Sequence, residues 1–76
     1  MKNEQKAVIR RTGKKLKELR EEIEHVMTEL DEYIHENQDT LDGTERGEKL
    51  DDELNAVYEL TASFEMLEDE IRDMVG

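Results

Sequence analysis

Residues Glu36–Lys49 read ENQDTLDGTERGEK, and they interrupt a chain that is otherwise patterned as helix. Asn37, Asp39, Asp42-Gly43 and Gly47 are turn formers, clustered where the apolar periodicity stops and before it restarts. Asp42, with Glu45 three residues on, predicts a capping-box-like start to the helix that follows. The stretch therefore reads as an acidic turn between two long helices.

Before the turn, Ile9, Thr12, Leu16, Leu19, Ile23, Val26, Leu30 and Tyr33 recur at alternating steps of three and four. That is the spacing of a helix packed against other helices. Met27 and Ile34 fall one position later and widen the stripe beyond a simple two-stranded seam. After the turn the pattern returns at Leu50, Val57, Leu60, Phe64, Leu67, Ile71 and Met74, with Leu54 beside a charged Glu53. The expected fold is all-α: an antiparallel two-helix hairpin in a single domain over residues 1–76. Its first helix is placed at about 4–36, the acidic turn at about 37–42 and the second helix at about 43–75.

A lone hairpin leaves much of so wide a stripe wet. The simplest closure is a homodimer, two hairpins forming a four-helix bundle with Leu16, Leu19, Ile23, Val26, Leu30, Val57, Leu60, Phe64, Leu67 and Ile71 in its core.

Composition supports helix and bounds the rest. Proline and cysteine are absent, and 43% of residues are charged against 34% hydrophobic, so periodicity rather than bulk hydrophobicity argues for folding. Without cysteine there is neither a disulfide nor a Cys-based zinc site. The longest apolar runs are three residues, as in Ala7-Val8-Ile9, too short for a membrane span or a signal peptide. These features read as a soluble, cytoplasmic protein with no membrane partner.

The formal charge of −11 is unevenly spread. Residues 1–20 hold eight Lys/Arg against two acids, a net +6, concentrated in RRTGKKLKELR (Arg10–Arg20). Residues 29–53 hold eleven acids against Arg46 and Lys49, a net −9. The first helix thus carries cations at its positive end and acids at its negative end, which costs roughly 0.3–1 kcal/mol per misplaced charge. An antiparallel partner helix ending in Glu65, Glu68, Asp69, Glu70 and Asp73 offers the basic run an acidic neighbour. It offers the acidic turn none. Gly13 raises a second expectation: a helix break, with Thr12 as cap and residues 1–11 as a separate basic arm.

No constellation for catalysis stands out. The Gly-Lys of RRTGKK lacks the G-x-x-x-x-G-K-[ST] pattern and a preceding strand, so a phosphate loop is not indicated. Glu22 to His25 and Glu32 to His35 have Glu-x-x-His spacing, but both histidines fall toward solvent and the second helix has none. The turn fails the EF-hand pattern, with Gln38, Thr40 and Lys49 at ligand positions. There is no Ser/His/Asp or Cys/His set. The sequence thus indicates a non-enzyme with no cofactor and no metal.

Two partial resemblances are on view. Paired carboxylates such as Glu21/Glu22 resemble the EE-x-x-E helices of all-α nucleotide pyrophosphohydrolases, but His25 stands where the last glutamate belongs. DDELN (Asp51–Asn55) is similar to the S-Q-E-L-D motif of helical-hairpin aspartyl-phosphate phosphatases of sporulation at Glu53 and Leu54 only. Neither implies membership, and neither transfers a site.

The functional expectation is a small acidic regulator or adaptor acting by protein–protein interaction. Glu32, Glu36, Asp39, Asp42, Glu45, Glu48, Asp51 and Asp52 would engage a basic surface on another protein, with Tyr58 and Met66 adding apolar contact. A nucleic-acid mimic inhibiting a nuclease or DNA-binding protein is the alternative. Direct nucleic-acid binding through Lys6–Arg20 is a third, disfavoured by the acidic body.

Overall fold

The computed structural model describes all 76 residues and is all-α, with no strand. It has three helices: α1 (Asn3–Glu36), a single turn α2 (Gln38–Leu41), and α3 (Glu45–Val75). The molecule is a rod with extents of 56 × 15 × 13 Å. Gly13 of α1 packs on Ile71 of α3, Arg20 reaches Glu68, and Tyr33 meets Arg46, so α3 returns alongside α1 in the opposite direction.

Each helix end has a local cause. The Lys2 backbone N–H donates to Gln5 Oε1 (3.0 Å) at the start of α1. At its end the Asn37 amide Nδ2 donates to the Tyr33 carbonyl (2.8 Å), which also accepts the Asn37 backbone N–H. One of the carbonyls left open at the end of a helix is thereby satisfied.

The connection departs from the expected open turn. Part of it is helical, and α3 begins two residues later than predicted because Thr44 caps it, not Asp42. Thr44 Oγ1 accepts the Gly47 N–H (3.0 Å) and donates to the Leu41 carbonyl (2.6 Å). One hydroxyl therefore ties the end of α2 to the first turn of α3. Gly43 has φ +73°, a left-handed conformation that L side chains rarely adopt, and it makes the reversal between them.

The expected break at Gly13 does not occur. α1 runs unbroken from Asn3, and residues 3–11 belong to it. Thr12 is not a cap: its Oγ1 donates to the Val8 carbonyl, one turn back. Gly13 is there for packing, since a Cβ on it would lie 2.9 Å from Ile71 Cγ2. A Gly13→Leu variant should therefore be less stable despite gaining about 0.8–1 kcal/mol of helix propensity. Overpacking costs typically about 1–3 kcal/mol, and the net loss should appear as a lower thermal midpoint by circular dichroism. A higher midpoint would show that the helices do not meet at this point.

The seam uses a different pair of columns from the one the spacing suggested. The Ile9-Leu16-Ile23-Leu30 column faces α3 as expected, but its inward companion is Gly13-Arg20-Met27-Ile34. On α3 the Leu50-Val57-Phe64-Ile71 column is joined by Leu54, Thr61, Glu68 and Val75. Each inward companion lies four residues beyond its column, not three. Leu19, Val26, Leu60 and Leu67 therefore stand outside the seam, 47, 54, 47 and 47% exposed. Only Leu41, Gly47 and Thr61 are buried, and no side chain is fully so, which means that two helices alone enclose almost no core.

Candidate interaction surfaces

Three surfaces carry the chemistry of this rod. The first is a cleft of about 860 Å³ along one side of the seam, near the free ends of α1 and α3. Its wall is charged with both signs, by Arg10, Lys14, Lys17 and Arg20 against Glu65 and Glu68. Arg20 organises it. Its Nε donates to Glu68 Oε2 (2.6 Å), a second nitrogen lies 3.3 Å from Glu68 Oε1, and the same guanidinium pairs with Glu24 one turn on. Glu65 stands farther off, at 3.8 Å.

Donating to Glu68 first and Glu24 second raises the Arg20 pKa above its ordinary value, against a smaller desolvation that lowers it. With the folded-state pKa raised, this contribution is lost only as pH climbs through the alkaline range above the normal arginine value. The link is thus a fixed charge at any working pH and not a switch.

The rest of the basic run meets the expected acidic strip only in part. Arg10 Nη2 donates to the Val75 carbonyl (3.0 Å), a cation placed against the C-terminal end of α3. Arg11, Lys14, Lys15 and Lys17 form no ion pair. Of the acids at the end of α3, Asp69 pairs locally with Arg72, while Glu70 and Asp73 are free of ion pairs.

The acidic turn is the second surface. None of its eleven carboxylates forms an ion pair, including all eight expected to bind a partner: Glu32, Glu36, Asp39, Asp42, Glu45, Glu48, Asp51 and Asp52. All eight are exposed. The nearby Arg46 pairs with none of them; its Nη2 donates to the Tyr33 hydroxyl (2.7 Å) with its guanidinium 6.0 Å from that ring. Glu45 and Glu48 lie in the first turn of α3, where its positive end favours them. No three acidic or histidine side chains converge in a metal-binding arrangement.

The third surface is apolar. On a right-handed helix, a residue three positions beyond the seam column turns to one side, and a residue four beyond turns to the other. Two helices of opposite direction that both use the fourth residue inward must both present the third residue on one face of the pair. Thr12, Leu19, Val26 and Tyr33 of α1 and Leu60, Leu67 and Met74 of α3 consequently share a face, opposite the charged cleft. Tyr58 and Met66 are also exposed, at 49 and 65%, but lie off that face.

Arg20 and Glu68 lie off the seam that the spacing suggested and on the one the structure uses, so this cross-helix pair is visible only in the tertiary contact.

No helix is long and apolar enough to cross a membrane. No protein-family model matches the chain, and comparison with curated proteins and with solved structures gives no match.

Proposed function

We propose that the protein is a small acidic adaptor or regulator built as a helical hairpin. Two copies associate into a four-helix bundle, and the acidic turn engages a basic surface on another protein. One observation carries this reading: eleven carboxylates around the turn have no ion-pair partner within the chain, although the same chain holds eleven Lys/Arg. Concentrated charge of one sign steers an oppositely charged partner and raises its association rate, with an effect that falls steeply with salt. The Thr44–Leu41–Gly47 hydrogen bonds give that charge a fixed platform.

Reversing Asp42, Glu45 and Glu48 to lysine together tests the reading. The variant should remain helical by circular dichroism, with a modest loss because Glu45 and Glu48 no longer complement the start of α3. Proteins co-purified with the wild type from its source cells should be absent from the variant. The same partner set in both would eliminate the turn as the binding site. Competition of double-stranded DNA for the captured partner would turn the reading toward a nucleic-acid mimic.

A further inference from the structure

The exposed apolar face can be taken further than the bare statement that copies associate. We infer that it receives a second copy of this chain running antiparallel, about a two-fold axis lying between Glu22 and Ile23 on α1 and between Leu60 and Ser63 on α3. This rests on the dimer proposed above and specifies its face, direction and register.

The angular layout of each helix comes first. The columns facing the other helix of the chain and those on the exposed face are separated by roughly a quarter turn on each helix, at about 100° per residue. A helix at the corner of a four-helix bundle needs two contact faces with that separation, one for each neighbour.

Area argues in the same direction. A compact monomer of 9.0 kDa would expose about 4,900 Å², whereas this chain exposes 6109 Å². The excess exceeds the roughly 800 Å² that each partner contributes to a standard interface. The apolar face runs for about 30 Å along α1 from Thr12 to Tyr33, at 1.5 Å per residue.

Charge then chooses the direction. Copies placed parallel would bring two turns of net −9 side by side. Placed antiparallel, each turn lies beside the other copy's basic first helix end. The first turns of α1 also project past the end of α3, because Arg10 already sits level with Val75. That overhang carries Lys2 and Lys6, and on the same face the exposed Met1 and Val8. In the antiparallel arrangement it overlies the partner's turn.

Side-chain size fixes the register. Ala56 and Ser63 are the small residues bordering the apolar face on α3. With the two-fold axis as placed, Leu67 meets the partner's Ala56 and Leu60 meets the partner's Ser63, large against small in both pairs. The same axis sets Leu19 opposite the partner's Val26, Thr12 opposite the partner's Tyr33, and Lys15 opposite the partner's Glu29. Neither Lys15 nor Glu29 has an ion pair within its own chain. One register therefore satisfies packing on α3 and on α1 and supplies the Lys15–Glu29 charge pair, and these outweigh Glu22 lying beside its own copy at the axis and Glu53 facing the partner's Glu70.

The chain has no cysteine, so one can be placed at will for a spin label. Light scattering should give a dimer mass for the full chain. Labels on Asp42→Cys should lie about 55 Å apart, since the two turns extend in opposite directions from the axis at 1.5 Å per residue. A parallel dimer would hold them within about 25 Å, given interaxial spacings of 8–10 Å. Lys15→Glu and Glu29→Lys should each weaken the dimer about tenfold at low salt, and the double variant should restore it. Both sites are exposed and off the intramolecular seam, so loss of folding would not explain the result. A short distance between labels, or no restoration in the double variant, overturns the antiparallel register while leaving dimerisation standing. A monomer at millimolar concentration overturns both.

Discussion

Replacing Leu41 with alanine should lower stability by about 2–5 kcal/mol, the usual range for emptying a buried leucine site. Leu41 is the only buried hydrophobic residue, at 5% exposure, and it sits in the one-turn helix where the chain reverses. Domain stabilities of about 5–15 kcal/mol are typical, and a two-helix unit with three buried residues belongs at or below the lower end. The substitution should therefore remove a large fraction of the folding free energy. Urea unfolding followed at the helical circular dichroism band should show a clearly lower midpoint. An unchanged midpoint would mean that the turn contributes nothing to holding α1 and α3 together.

The second large effect is expected at Gly47, where helix propensity and packing point in opposite directions. Gly47→Ala should stabilise a bare helix by about 1 kcal/mol. Here a Cβ at position 47 would overlap the Leu41 carbonyl oxygen and lie 3.2 Å from Thr44 Oγ1. A backbone carbonyl cannot rotate out of the way as a side chain can, so the whole Leu41–Thr44 segment must shift. Loss of the Thr44 cap alone costs about 0.5–2 kcal/mol, and strain from overpacking adds to it. The net expectation is a loss of about 1–3 kcal/mol, with altered amide resonances for Thr44 and Gly47. A thermal midpoint that rises would show that the cap tolerates a methyl group and that propensity governs this turn.

Both predictions concern the same fourteen residues, and these were only partly legible. The cluster of Asn, Asp and Gly announced a reversal, and Gly43 is indeed where φ turns positive. The cap was not legible. Asp42 with Glu45 has capping-box spacing, yet Thr44 caps α3, its hydroxyl serving both the Gly47 N–H and the Leu41 carbonyl. A residue with one donor and two acceptor sites can bridge two elements, which an ionised carboxylate that only accepts cannot do. The acidic surface was legible in full as composition. Its lack of ion pairs was not, because only the tertiary structure turns Arg46 to Tyr33.

The helices themselves follow from the sequence. Strong helix formers, no proline, and apolar residues every three or four positions determine two long helices and the place where they stop. The sequence also determines that the apolar stripe is wider than one seam. What it left open is which flank of the stripe faces inward, since a step of three and a step of four are equally compatible with a helical face. Tertiary contact decided that. The Thr12-Leu19-Val26-Tyr33 column is more apolar than Gly13-Arg20-Met27-Ile34, yet the second faces α3. Gly13 lets Ile71 come close, and Arg20 finds Glu68 at hydrogen-bonding distance. An inward arginine is tolerable only when the opposing helix supplies a carboxylate at the same level, a condition no single helix can state. The more apolar column is left on the outside, and with it the exposed face on which the proposed dimer rests.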